Sequence, residues 1–203
     1  QPADWLPLYV KDLGRRPFLA PSRKTPFSVV TAGRAAKFSM QGPVALPNIV
    51  SSVLRAIDGR FHHIGPLDDG SRQQIRKHLI NQGIDPARFV THGEVPSLWQ
   101  ALKQLDAHAY LGSAPVSGGR GAIEAQGCGY PVLPFSGFDP GSLLADFSSY
   151  ADMALAWHDL PTVVERLQAL PSRLQEASDQ ARAFYETHFS QQVFRDTLER
   201  IAR

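Results

Sequence analysis

What most constrains this chain is an alternation: short apolar runs that end in glycine take turns with segments of helical period. Phe27-Ser-Val-Val-Thr-Ala-Gly33 reads as a first strand. Leu46 to Asp58 then carries Ile49, Val50, Val53, Leu54 and Ile57 at helical spacing, and Gly59 stops it. Arg60 to Ile64 is a second strand ending in Gly65-Pro66. Ser71 to Gln82 is a helix that presents Ile75, Leu79 and Ile80 and closes at Gly83. Phe89 to Thr91, a helix from Pro96 to Leu105, and the strand Ala107 to Leu111 continue the series, with Pro96 at the first helical position. Strands joined by single helices through short connections require a parallel sheet with right-handed crossovers, a Rossmann-like doubly wound α/β fold. Ligands of such sheets lie beyond the carboxyl ends of the strands. The loops at Gly33, Gly65, Gly93 and Gly112 to Gly121 all follow strands and share that edge.

The flanks are less regular. Residues 1–26 hold five prolines and the basic pairs Arg15-Arg16 and Arg23-Lys24, and read as a lead-in or linker anchored by Trp5, Leu6 and Leu8. Residues 27–203 then form one domain, with C-terminal helices over 170–203. After Phe135 the pattern predicts a short helix from Asp139 to Phe147 and a last short strand from Met153 to Trp157. Three helices follow, Leu160 to Leu170, Ser172 to Thr187 and Gln191 to Ala202, the last with Ser190 as its N-cap.

Composition removes several classes. The net charge of +2 over 203 residues, with Lys and Arg scattered, leaves no nucleic-acid footprint. A pI near 8.8 mildly favours an anionic ligand. Cys128 is the only cysteine, which excludes an internal disulfide and a cysteine-built metal cage, and its place between two glycines suits a packed residue. No apolar run reaches the roughly 18 residues of a membrane span. The chain opens Gln1-Pro-Ala-Asp without methionine or a signal-peptide pattern, and we read it as part of a longer one.

Chemistry concentrates in Val116 to Phe135: a glycine-rich loop, a short helix beginning near Gly121, a glycine stop at Gly127/Gly129, and the buried strand Tyr130 to Phe135. Such a loop turns unpaired N–H groups and the positive end of a helix dipole towards an anion. Arg120 adds a planar cation suited to phosphate, and Glu124, one turn in, looks back at whatever the loop holds. Glu124 could also serve only the helix dipole, but the glycine-rich approach favours a ligand role. In Thr31-Ala-Gly-Arg34-Ala-Ala-Lys37, two cations three apart either point at a diphosphate or form a solvated basic loop. Thr91-His-Gly93-Glu94-Val95-Pro96 either offers backbone to a base edge or is an ordinary strand-to-helix turn. His62 and His63 face opposite sides of their strand and have no third ligand for a metal; structural roles are the commoner fate of such residues. Ser113 and Ser117 lack the Gly-x-Ser-x-Gly elbow. Neither Gly-x-Gly-x-x-Gly after the first strand nor a P-loop is present, which counts against NAD enzymes and NTPases.

Together these stretches resemble the C-terminal, donor-binding half of GT-B glycosyltransferases of the group 1 kind. The resemblance rests on the Gly33 to Lys37 loop, Thr91 to Val95, Gly118 to Pro131 and the tail Ala181 to Leu198, and covers about residues 27 to 203. It implies a UDP- or GDP-sugar donor, with no cofactor and no metal. Glu124 would accept from the ribose hydroxyls, while Lys37 and Arg34 would meet the diphosphate. The amides of Gly118, Gly119 and Gly121 would cradle the phosphates, and the Gly93-Glu94-Val95 backbone would meet the base. Lys37 and Arg120 would act catalytically by stabilising the leaving diphosphate. Further implications are a glycan or glycoconjugate acceptor, an N-terminal partner domain, a bacterial surface-polysaccharide role, and a cytoplasmic location, peripheral to the inner membrane at most. One departure stands out. Retaining members carry two glutamates eight residues apart, and counting back from Glu124 gives Val116. A looser likeness to the inverting O-linked N-acetylglucosamine transferase family, where a threonine-rich turn stands in place of Gly119-Arg120-Gly121, leaves the stereochemistry open. A sugar-nucleotide epimerase of the same fold and a non-catalytic subunit that has lost its site are the alternatives.

Overall fold

The computed structural model describes residues 8–116, 118–137 and 151–202. Trp5, Leu6, Ser117 and the helix expected from Asp139 to Phe147 lie outside the described residues. Five parallel strands form one sheet: β1 (Val29–Ala32), β2 (Phe61–Ile64), β3 (Phe89–Thr91), β4 (Ala109–Leu111) and β5 (Val132–Leu133), in the order β3-β2-β1-β4-β5. Val29 of β1 stands opposite Phe61 on one side and Ala109 on the other. Every residue of β1, β2 and β4 is buried, as a parallel sheet covered on both faces requires.

The helices are α1 (Leu46–Ala56), α2 (Asp69–Asn81), α3 (Leu98–Gln104), α4 (Gly119–Cys128), α5 (Leu160–Ala169), α6 (Leu174–His188) and α7 (Gln191–Ile201). Their starts follow local chemistry. Asp68, Ser97, Asp159 and Ser190 each accept a backbone N–H of the first turn through the side chain. Ser97, as the cap of α3, leaves Pro96 one residue before it instead of at the first helical position. α1 packs on α2 and α5, and α4 lies between α3 and α6. Strand alternation divides the core accordingly. Val29, Ala109 and Leu111 face the α1/α5 side, while Val30, Tyr110 and Val132 face the α3/α4/α6 side with Trp99, Ile123 and Tyr185.

Two expectations need correction. Met153 to Trp157 is a short 3-10 turn (Met153–Leu155) capped by Asp152, and only Trp157 bridges to Phe135. The apolar run there reflects a fully buried indole packed on the Phe135 ring, 4.8 Å between centroids, and no ladder forms. On α2 the core takes Ile75 and Leu79, while Ile80 is 60% exposed.

The segment before β1 is fastened to the domain, and its anchor is not Leu8, which is exposed, but Val10, which is buried. The Tyr185 hydroxyl donates to the Val10 carbonyl at 2.8 Å and the Trp99 indole N–H to Gly14 at 2.9 Å. Arg16 is buried, donates to the Ala107 carbonyl at 2.6 Å and lies 3.7 Å over the Tyr130 ring. Burial lowers its pKa, and the carbonyl and π-face supply the partners a buried cation needs. The segment therefore runs as a strap across α3, α4 and α6, and its residues Val10 to Leu13 reach the carboxyl edge of the sheet.

Candidate functional site

The chain leaves β1 towards β2 on one side and β4 towards β5 on the other, so the loops beyond these two central strands diverge and open a crevice. A cleft of about 460 Å³ lies there. One wall is Ala32, Gly33 and Lys37 after β1; another is Arg120, Gly121 and Glu124 at the start of α4. Pro96, Ser97, Leu98 and Trp99 close it from α3, and Val10, Lys11 and Leu13 of the strap form the remaining side.

The two loops that matter most are joined to each other. Gly33 is held by its N–H on Ile64 at 2.9 Å, and a single 3-10 turn (Ala35–Lys37) follows. Phe38 then bridges to Pro115, and the Val116 N–H reaches the Lys37 carbonyl at 3.4 Å. This junction lays the Lys37 ammonium over the entry to α4: a Cβ placed on Gly118 would come within 2.8 Å of Lys37 Nζ. Among the described residues Lys37 has no ion-pair partner.

α4 begins at Gly119, two residues earlier than expected, with extended Gly118 as its N-cap and no side chain on its amides. The first-turn N–H groups of Gly119, Arg120 and Gly121 have no acceptor within the helix. Gly121 has a second reason to be glycine, since a Cβ there would stand 2.6 Å from the Tyr110 hydroxyl beneath it. Burial, and after it the Glu124 charge, raise the Tyr110 phenol well above its ordinary range, so it stays neutral. The Glu124 side chain is only 7% exposed and accepts from Arg120 Nε at 2.8 Å, whereas the Arg120 side chain is 75% exposed.

Of the residues singled out in the sequence, the fold gathers Lys37, Arg120, Gly121 and Glu124 around one opening, while Gly118 and Gly119, which begin α4 next to Lys37, are not among its lining. Arg34 is not among the cleft's lining: it is exposed, the extended residue before the 3-10 turn, so the spacing of three does not bring both cations to one side. The Gly93-Glu94-Val95 stretch is also set back. The Gly93 carbonyl accepts the Gly65 N–H at 2.7 Å, Glu94 is exposed, and Val95 packs on the core, so the lining at this end begins with Pro96. His62 and His63 both stand away from the cleft. His62 Nδ1 is 3.0 Å from His92 Nε2, and His63 meets the Phe38 ring edge-on at 5.3 Å. Burial lowers the pKa of both to about 4, so each is neutral near neutral pH. Val116 is exposed and outside the lining.

Sequence reading missed the strap residues Val10, Lys11 and Leu13, and Trp99. A proline-rich lead-in carries no periodic signal, and the residues that fix it lie far along the chain. Among the described residues no three His, Cys, Asp or Glu side chains converge as metal ligands, and no helix is long and apolar enough to cross a membrane.

Solved structures share this architecture. A mutant of the Thermobaculum terrenum O-GlcNAc transferase matches with a TM-score of 0.60 and 19% identity, over 92% of this chain and 36% of that one. TarM matches with 0.62 and 16%, over 96% and 37%. Anabaena HepE in complex with UDP matches with 0.64 and 13%, over 88% and 48%. No family model matches the chain, nor does any curated sequence. The chain thus spans less than half the length of these structures, and at such identities the likeness establishes the fold alone: a Rossmann-like domain of the kind that forms one half of the GT-B fold.

Proposed function

We propose that this chain is the donor-binding half of a glycosyltransferase that uses a nucleotide-diphosphate sugar. The observation that carries this reading is the convergence of Lys37, Arg120, the uncapped amides of α4 and the buried Glu124 on one cleft at the switch point of the sheet. Two cations and a helix N-terminus match a diphosphate, and a carboxylate, an acceptor only, matches the hydroxyls of a ribose. Anabaena HepE, which has this fold, was solved with UDP and with UDP-glucose, and that supports the same class of ligand here.

The chemistry follows from charge. As the bond between sugar and diphosphate breaks, negative charge grows on the leaving oxygens. Lys37 and the amides already stand at the entry to α4, so they stabilise the departing group with little reorganisation, and Arg120 joins them once it leaves Glu124. The base lies towards Pro96 to Leu98, because the Gly93 carbonyl is occupied. The acceptor, a glycan or glycoconjugate, and the catalytic base belong to the rest of the protein, an N-terminal domain facing this cleft. The 203-residue chain therefore binds donor weakly and turns nothing over.

A second reading, a partner subunit that kept the fold and lost the chemistry, draws on Val116, which offers no acceptor where a retaining enzyme has a glutamate. Calorimetric titration with UDP, GDP and their glucose and mannose conjugates decides between them. Binding is expected for one nucleotide series, weakened roughly tenfold or more in Lys37→Met as a charged hydrogen-bond partner is lost. No heat with any of them would support the scaffold reading, and multiple turnovers by this chain alone would refute the division of labour.

A further inference from the structure

We infer that Arg120 makes recognition of the nucleoside conditional on the diphosphate, an inference that rests on the donor-site reading above. In the structure the Glu124 carboxylate is engaged by Arg120 Nε at 2.8 Å. A ribose that is to use this carboxylate meets a guanidinium in its place.

The pair is hard to explain as a device for helix stability. Arg120 stands in the first turn of α4, where the helix dipole disfavours a cation. A cation four residues before an acid is also the weaker orientation of a helical ion pair. Its energetics as a plain surface bridge are small, since the Arg120 side chain is 75% exposed. The other partner is different: Glu124 is 7% exposed, so its carboxylate needs a donor at all times, and the guanidinium supplies one until a ligand does. Among the described residues nothing else holds the guanidinium, and its exposed stem is free to turn towards the entry of α4, where the Lys37 ammonium and the free amides also await an anion.

The consequence is an exchange of partners. A nucleoside alone must displace Arg120 from Glu124 and offers the guanidinium nothing in return. A nucleoside diphosphate offers its phosphate oxygens, a bidentate match for guanidinium, so Arg120 moves from carboxylate to phosphate while the ribose hydroxyls take over Glu124. Arg120 thus acts as a specificity-determining residue that penalises nucleosides and rewards diphosphates.

The test is a titration of the 203-residue chain and its variants with uridine, guanosine, UDP and GDP, followed by NMR for the weak ligands and calorimetry for the tight ones. Arg120→Met, on an exposed site, keeps the stem and removes the charge. It is expected to raise the affinity for the cognate nucleoside about threefold, the size of a partly exposed ion pair, and to lower that for its diphosphate about tenfold. In a Glu124→Gln background the gain for the nucleoside should vanish, because the competing pair is already gone. If UDP or GDP binds the wild-type chain but Arg120→Met leaves nucleoside affinity unchanged or lowers it, the exchange of partners is refuted while the donor site stands. If neither binds the wild-type chain, the reading of the cleft falls and takes this inference with it.

Discussion

Replacing Gly127 by alanine sets two effects of known sign against each other. Gly127 lies inside α4, where alanine is the better helix former by about 1 kcal/mol. A Cβ at this position, however, would stand 2.1 Å from Trp99 Cη2 and 2.6 Å from Cζ3, far inside contact distance. The indole cannot simply rotate away. It is 1% exposed, donates to the Gly14 carbonyl at 2.9 Å and meets Tyr185 edge-on at 5.4 Å. Forcing α3 and α4 apart is an overpacking change of about 1–3 kcal/mol, and the geometry lies at the severe end of that range. Subtracting the propensity gain leaves a net loss of about 1–2 kcal/mol, or a Tm lower by about 3–6 °C for a chain of this size. Thermal unfolding followed by circular dichroism measures it, with the double variant Gly127→Ala/Trp99→Leu as the control. Once the six-membered ring is gone, alanine at Gly127 should be neutral or stabilising relative to Trp99→Leu alone. A Tm for Gly127→Ala equal to or above wild type would refute the packing argument and leave helix propensity in charge.

Acid should destabilise the fold before its carboxylates titrate. His63 is fully buried, with a folded-state pKa of about 4 against an ordinary 6.5, so the unfolded chain takes up a proton that the native one refuses. Stability is complete above the unfolded value, falls as pH drops through the window from 6.5 to about 4, and levels below it. His63 alone contributes a loss of about 2 kcal/mol by about pH 5, and His62 and His108 act in the same direction. Urea midpoints at about pH 7.5 and about pH 5 should therefore differ clearly; equal midpoints would sink the assignment of neutral buried histidines. The Cys128 thiol is fully buried, and desolvation pushes it up to about 12, so it should be silent to Ellman's reagent in the native chain and titrate fully in denaturant. Rapid native labelling would show that α4 opens.

Much of the architecture was legible because its determinants are local. Helix and strand periods are written within a few residues, as in Ile49, Val50, Val53 and Leu54 of α1, and the stop at Gly129 with its positive φ needs no distant partner. The parallel sheet follows from the order of those elements, and with it the edge at which the cleft opens. The glycine-rich approach to α4 was likewise readable, and the fold sets Arg120 and Glu124 behind it on one cleft.

Other features depend on pairs of residues far apart in the chain. Trp99 and Gly14 are 85 residues apart, Tyr185 and Val10 175, and only their contact turns a proline-rich lead-in into one wall of the cleft. Arg34 and Lys37 look alike in sequence, but the 3-10 turn and the Phe38–Pro115 bridge send only Lys37 to the opening. Gly93 loses its carbonyl to Gly65, a partner that belongs to another strand's loop. Even the Arg120–Glu124 pair, whose spacing is visible in the sequence, gained its meaning from burial of one partner and exposure of the other. By itself the sequence determined most of the helices and strands, though not the turn at Met153–Leu155, and where charge and glycine fall along them. Only the tertiary structure decided which of those groups face one another and how dry each one is, because burial and partnership are properties of the packed chain.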